Sequence, residues 1–473
     1  MKKIILSLSA GIAAVAIFPS CSKWLEVEPD GVILSDDALK TPEDMQLLLN
    51  SCYDVLGNVF DGGIQNINEM LSDNLAAPLN NLDFKSVYDR EVTFFNTTTN
   101  NVYTDLYRAV YRCNTLLANF DLIEGLSDSE RIRMEAEARF IRGMCHWWVL
   151  KTWAQPWGYT ADNSHLGIVL RELPTQDPLP RSTVKESYDF IMADLQFAES
   201  NLPANNGAYA TSWAAKSLLA FVHFQKWDFS AAYTYADQVI NSGLYEMQDN
   251  LDQFHAQDSL YQFESNPETI FGIVSYVNFD EGIVDIRNDG YRENYWPGTA
   301  GAQLSASTEF WNFINLNPAD GRIAAWLENT GSQYQVTRFG TPDIQSFFFP
   351  SPLLRLTHMK LIRAESLCQL NDQLDVAIDD INDIRDRAFG DGINELPGTA
   401  TVSEIRQAAR DEFRKETIGE GLWVDYLRRI GAMGEETVTI RDAPWNCPGM
   451  AIQFPNSEGT GVEFVFNEEG GCN

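Results

Sequence analysis

The sequence predicts a mainly α-helical protein, a scaffold of degenerate tetratricopeptide-type helix pairs carrying a loop-rich insertion with short strands. Three observations lead there. Helix-start signals recur along the chain, each followed by apolar residues at helical spacing. Two stretches read as helix–turn–helix pairs with alanines beside the turn. Residues 266–352 break the pattern with β-branched, aromatic and glycine-rich text.

The first start is Thr41-Pro42-Glu43-Asp44. A threonine hydroxyl accepts a hydrogen bond from an unpaired N-terminal N–H, and proline at the first helical position gives up only a donor that would be unpaired anyway. Ser127 with Glu130, Thr183 with Glu186 and Thr401 with Glu404 fit the capping box, in which hydroxyl and carboxylate each satisfy one backbone N–H. After the second start, Ala136, Phe140, Gly143, Met144, Trp147 and Leu150 share a face. After the third, Val184, Tyr188, Ile191, Leu195 and Ala198 do the same, and Asn201-Leu202-Pro203 ends the helix.

The first helix pair runs Trp213–Gln225, turns at Lys226-Trp227-Asp228, and continues Phe229–Ile240 to Ser242-Gly243. The second runs Leu354–Leu370, turns at Asn371-Asp372-Gln373, and continues Leu374–Ala388. Ala220, Ala232, Ala364 and Ala377 let the paired helices approach closely. An irregular helical bundle would bury the same faces. Within the insertion, Thr269–Val277 reads as a strand, and the glycines that follow read as loops. Trp311 and Trp326 sit in more helical text and are expected in the core, while residues 432–473 read as irregular.

Residues 1–20 read as a lipoprotein signal peptide. Lys2 and Lys3 precede an apolar run, Ile4 to Phe18, that is shorter than the roughly 20 residues a membrane span needs. Ser20 stands directly before Cys21, the expected lipidation site, although an ordinary signal peptide with an incidental cysteine has the same outline. Residues 21–40 form an acidic tether with Glu26, Glu28 and Asp30, and residues 41–473 a single domain. No later segment is apolar enough to span, so membrane contact is expected through the lipid anchor only. Each buried CH₂ of such an anchor contributes about 0.8 kcal/mol.

A formal net charge of −33 and a sequence pI near 4.4 repel nucleic acid and anionic surfaces. A neutral ligand feels no such field. The cysteines show neither CxxC pairs nor zinc-ligand spacing. Cys113, Cys145 and Cys368 read as small hydrophobes, and Cys447 and Cys472 as either disulfide-bonded or free. Asp285-Ile286-Arg287-Asn288-Asp289-Gly290 echoes a calcium loop, but Arg287 stands where an oxygen ligand is needed, so it reads as a turn. No metal and no cofactor is expected. The motifs of zinc hydrolases, serine hydrolases and P-loop enzymes are missing from the sequence.

The stretch Arg410–Arg429, RDEFRKETIGEGLWVDYLRR, closely resembles the C-terminal signature of the SusD/RagB family, an Arg/Glu-rich helix followed by Glu-Gly-x-x-Trp-x-Asp-x-x-Arg, with one residue in place of two between Gly421 and Trp423. Four more segments match in the family's order. AEARFIRG at Ala136–Gly143 runs on to Trp157-Gly158, though the usual proline after that turn is absent. Pro180–Val184 leads to Leu202-Pro203, and Ala214-Ala215 to Tyr245. Leu354–Leu356 and Ala364-Glu365 precede Ile381–Arg387. The resemblance implies a SusD-like helical fold and an outer-membrane, lipid-anchored protein that faces the extracellular side and is not an enzyme. It further implies a SusC-like TonB-dependent transporter as partner and an oligosaccharide as ligand. A lid for oligopeptides, a glycoside hydrolase and a purely structural surface protein are the alternatives.

Sugar binding needs flat rings for the C–H faces and side-chain amides, acids or guanidinium groups for the hydroxyls. In the insertion, Tyr276, Tyr291, Tyr295 and Trp296 interleave with Asn278, Arg292 and Asn294. A second segment, Ser72–Tyr88, offers Asp73, Asn74, Phe84 and Tyr88. These are the candidate ligand-binding residues. Glu412, Glu416 and Glu420 read as ion-pair partners for nearby Arg406, Arg410 and Arg414 rather than as catalytic acids. Trp423 and Asp425 read as architectural, the carboxylate taking backbone or arginine bonds.

Overall fold

A computed structural model describes residues 39–77, 80–251, 266–278, 283–285, 287–295, 302–339, 351–461 and 463–472, and for Tyr276–Asn278 and 283–284 the backbone alone. Cys21 and its tether lie outside these residues. In chain order the helices are α1 (Pro42–Val59), α2 (Gly63–Leu71), α3 (Leu82–Tyr88), α4 (Thr97–Asn119), α5 (Asp128–Trp153), α6 (Val184–Asn201), α7 (Ser212–Gln225), α8 (Phe229–Ile240), α9 (Asp289–Tyr295), α10 (Thr308–Ile314), α11 (Gly321–Trp326), α12 (Leu356–Leu370), α13 (Leu374–Phe389), α14 (Val402–Glu416) and α15 (Trp423–Met433). The strands are β1 (Leu75–Ala76), β2 (Thr269–Ile273), β3 (Tyr276–Asn278), β4 (Ile283–Asp285), β5 (Ser305–Ala306), β6 (Leu327–Asn329), β7 (Tyr334–Val336), β8 (Ser351–Arg355), β9 (Thr439–Ile440) and β10 (Ala443–Pro444).

The capping signals sit where expected. Thr41, Ser127, Thr183 and Thr401 each accept from the N3 backbone N–H and close a capping box. Helices pack in series: α1 on α4, α4 on α5, α5 on α6, α6 on α7, α7 on α8, and α8 on α12, which also holds α13 and α14. Ala220, Ala232, Ala364 and Ala377 are fully buried at these contacts. A smaller core, Ala364, Leu367, Ala377, Ile381 and Ile405 among others, fills the space between α12, α13 and α14.

Three expectations change on contact with the fold. Helix α5 is not amphipathic in its second half: every residue from Phe140 to Trp153 is buried, because neighbouring helices pack on both sides. Leu354 and Arg355 belong to β8, and α12 starts at Leu356, whose N–H donates to the Glu268 carbonyl at 3.0 Å. Thr269–Val277 divides into β2 and β3, with β2 paired antiparallel to β8. Helical spacing carries no information about such long-range pairing.

Around α14 the carboxylates choose other partners than expected. Arg322 donates to Asp320 and Glu412 at 2.7 Å each and to Glu416 at 2.8 Å, with all four side chains fully buried. Arg387 reaches Glu416 at 2.6 Å and Glu268 at 2.9 Å, and Arg355 reaches Glu268 and Glu420 at 2.8 Å each. Arg406, Arg410 and Arg414 repeat every fourth residue, whereas Glu412 and Glu416 are offset from them by two and so face the other way. Arg410 instead pairs with Glu365, Glu435 and Glu436, Arg406 with Glu435, and Arg414 with Asp73 at 3.1 Å. Among the described residues Asp425 is held not by an arginine or the backbone but by Lys151, whose Nζ lies 2.6 Å from it.

The C-terminal segment is fastened by the Cys447–Cys472 disulfide and by Asn467, whose amide donates to the Trp153 and Ile452 carbonyls at 2.8 and 2.7 Å. Cys52, Cys113, Cys145 and Cys368 are free and buried. None of the described helices is long and apolar enough to cross a membrane.

Candidate functional site

A four-stranded antiparallel sheet, in the order β1-β5-β7-β6, joins the two segments singled out from the sequence. Leu75 pairs with Ala306 and Ala306 with Tyr334, so residues far apart in the chain meet on one surface. The junction is reinforced by Ser307, whose N–H donates to the Asn74 carbonyl at 2.8 Å and whose hydroxyl donates to the Asp73 carbonyl at 2.6 Å. The Asn81 amide reaches Gln303 Oε1 at 3.3 Å.

Over this sheet lies a groove of about 360 Å³, bordered by Ala76, Gln303, Thr308, Asn329, Gln333 and Tyr334 among others. Its far wall is the β6–β7 hairpin. Asn329 Oδ1 accepts from the Gly331 N–H at 2.9 Å, and Gly331 turns the chain at φ +83°, a conformation glycine reaches without steric penalty. Tyr334 is backed by Trp311, the two rings stacked 4.5 Å apart and 8° from parallel. Trp311, expected in the core, is half-buried there, whereas Trp326 is buried as expected. Side-chain amides and hydroxyls line the groove, and no charged side chain is among its described lining residues, in a protein with a net charge of −33. Such a surface pairs with hydroxyl-rich neutral molecules, while the aromatic ring covers an apolar face.

The sequence candidates fall into different places. Tyr291 and Tyr295 lie one helical turn apart on α9, and both rings point inward. Tyr291 stacks on Phe339 at 4.3 Å, and Tyr295 lies 5.3 Å from the same ring. They present no face to solvent, because DGYRENY folds as a helix rather than as the loop its polar text suggests. Arg292 pairs with Asp289 at 2.7 Å. Asn294 donates to the Gly290 carbonyl at 2.6 Å, and its own carbonyl accepts from the Gln303 and Leu304 N–H groups, each at 2.9 Å, which anchors one edge of the groove. Asp73 and Asn74 are buried: Asp73 accepts from the Trp423 indole at 2.8 Å and Asn74 from Arg414 at 2.9 Å. Phe84 is buried, and Tyr88 is half-buried beneath the Arg441 guanidinium, 3.8 Å from its ring centre. Tyr276 and Asn278 lie on β3 with side chains outside the description, and Trp296 lies outside the described residues.

Gln303, Asn329, Gln333 and Tyr334 were not among the candidates. Asn-Thr-Gly-Ser between two short β-like runs is a hairpin signal that points to the far wall. Nothing local announces that Tyr334 stacks on Trp311. In the calcium-like segment, read as a turn, Asp285 ends β4 and Asp289-Gly290 open α9, while Arg287 pairs with Asp54 at 2.6 Å and with Asp285. Among the described residues no cluster of His, Cys, Asp and Glu suits a metal ion.

At the end of α2, behind β1, Glu69 is fully buried and accepts from the Gly421 N–H at 2.9 Å. Gly421 adopts φ +70°, and a Cβ there would come within 2.8 Å of the Gln65 backbone, which accounts for a glycine at this point of the signature. Burial raises the Glu69 carboxyl to about 8, against the Gly421 hydrogen bond, which lowers it. A raised carboxyl pKa means that the folded state holds its proton longer than the unfolded chain does. Stability from this group is therefore complete below about 4.5 and declines as pH rises toward 8. Glu69→Gln is expected to flatten that decline in urea midpoints taken between pH 5 and 8.5; a mutant with the wild-type slope would refute the assignment.

Residues 23–224 match the family model described as starch-binding and associating with the outer membrane, and residues 245–455 match that of the SusD family. SusD-like protein P25 of Formosa agariphila is 25% identical over 309 residues, covering 62% of this chain and 54% of that protein, so this match spans about half the relative's length. SusD-like protein P38 of the same organism is 22% identical over 472 residues, covering 88% of this chain and 90% of that one. A SusD superfamily protein from Bacteroides thetaiotaomicron superposes with a TM-score of 0.77 at 20% identity, covering 91% of this chain and 100% of the other. A SusD-like carbohydrate binding protein from Bacteroides vulgatus superposes at 0.68 with 19% identity, covering 83% and 84%.

Proposed function

The chain belongs to the SusD family, whose members are carbohydrate-binding proteins of nutrient uptake associated with the outer membrane, and we propose that it captures a neutral oligosaccharide at the cell surface. The ligand passes unaltered to a SusC-like TonB-dependent transporter, and acylation of Cys21 holds the protein at the membrane. The observation that carries the reading is the uncharged groove backed by the Trp311–Tyr334 stack. A pyranose ring lies against Tyr334, and its hydroxyls pair with the amides of Gln303, Asn329 and Gln333. Asn294 acts by holding Gln303. Arg292, on α9, and, from the sequence alone, Tyr276, Asn278 and Trp296 are assigned to longer ligands.

Calorimetry against panels of neutral glycans and of peptides tests this. Tyr334→Ala is expected to weaken glycan binding about tenfold, equivalent to about 1.4 kcal/mol, with the thermal midpoint unchanged. Because no charged side chain is among the groove's described lining residues, the affinity should be insensitive to salt. Unchanged affinity in Tyr334→Ala, or saturable binding of peptides alone, would reject the reading. Metabolic labelling with palmitate, lost in Cys21→Ala, tests the anchor.

A further inference from the structure

Helix α4 carries Tyr103, Tyr107 and Tyr111 at four-residue spacing, so they stand in line on one face. The first two are sunk and committed: the Tyr103 hydroxyl donates to Glu458 Oε1 at 3.0 Å and that of Tyr107 to the Val169 carbonyl at 2.7 Å. Tyr111 keeps its ring open, at 39% exposure. Facing this row, the segments 175–178 and 457–460 enclose a cleft of about 380 Å³. It shares no lining residue with the groove over the β-sheet. On its floor the Arg171 side chain is only 14% exposed. One of its N–H groups donates to the Asp177 carbonyl at 3.0 Å, while Glu458 lies 3.6 Å away, beyond a direct hydrogen bond. The guanidinium has five N–H donors, and these contacts leave some of them available to a ligand.

We propose that this cleft is a second saccharide-binding site, in which one sugar ring lies on Tyr111 and adjacent hydroxyls bridge Arg171 and Glu458. The paired charges give the floor both donors and acceptors and no net sign. That arrangement suits a neutral polyol, whereas an anion would meet the Glu458 carboxylate. Arg108 at the rim is occupied by Asp105 at 2.6 Å and adds no free charge. With two sites on one chain, a polymer held at one is presented to the other at high effective concentration.

The inference is tested by calorimetry on the full chain with neutral hexasaccharides built from glucose, mannose, xylose or galactose. Tyr334→Ala protein is expected to retain saturable binding of at least one of them. That remaining binding should fall about tenfold or more when Tyr111→Ala is added, be lost with Glu458→Gln, and be kept with Tyr111→Phe. Tyr111 is exposed, so its variants fold, and an unchanged thermal midpoint verifies this. Wild-type binding that vanishes entirely in Tyr334→Ala, or residual binding indifferent to Tyr111→Ala, would overturn this inference and leave the first groove standing. No binding of any hexasaccharide by the wild type would overturn both.

Discussion

Arg322→Met is expected to lower folding stability by about 3–5 kcal/mol, the usual consequence of breaking a buried ion pair and leaving its partner uncompensated. Arg322 serves Asp320, Glu412 and Glu416 at once, and all are shut away from water. Lys415, Arg385 and Arg387 also touch these carboxylates, at 3.5, 3.2 and 2.6 Å, and they keep the cluster from losing all its positive charge. Burial pushes the Glu416 carboxyl up, but Arg387, Arg322 and Arg355 outweigh it and hold the group down to about 2. Burial opposes and Arg355 and Arg338 dominate in the same way at Glu420, which lies well below the carboxylate range. A lowered pKa makes the stabilisation complete above the unfolded value of about 4.5 and progressively lost as pH falls toward 2. Arg322→Met should therefore lower the urea midpoint at pH 7 and move acid unfolding to higher pH. A midpoint change worth less than about 1 kcal/mol, in the range of an exposed pair, would mean that the cluster contributes no more than surface charges do.

Cys472→Ser is expected to remove about 3 kcal/mol, from the lost restriction of the unfolded chain by a loop of 25 residues. Much of the tail's hold on the body runs through Asn467, which bridges Trp153 and Ile452. Without the disulfide, that segment should be the first to open, and limited proteolysis should cut beyond residue 447 before the helices yield. Urea titration with and without reductant measures the global effect. Equal midpoints and equal cleavage would show that packing alone fastens the tail.

The parts that were legible in the sequence are those whose signals are local. Capping boxes at Ser127, Thr183 and Thr401 depend on residues three apart, and the structure starts helices there. Tyr291 and Tyr295 were legible in principle, since a four-residue spacing is a helical one; glycine and polar neighbours concealed it. The groove was not legible. Tyr334 meets Trp311 only because β5 and β7 pair, and a single sequence contains no trace of that register. The ion pairs of α14 lay between: the two faces can be counted from the residue numbers, but their distant partners, Arg322 and Arg387, cannot.

The pairing of β2 with β8 ties the chain leaving the helical body at residue 269 to the chain returning at residue 355. The two ends of the segment are thereby clasped side by side. A substitution that opens this clasp is expected to loosen both ends of the segment at once, while β5 on β1 and Arg322 on α14 still hold its middle.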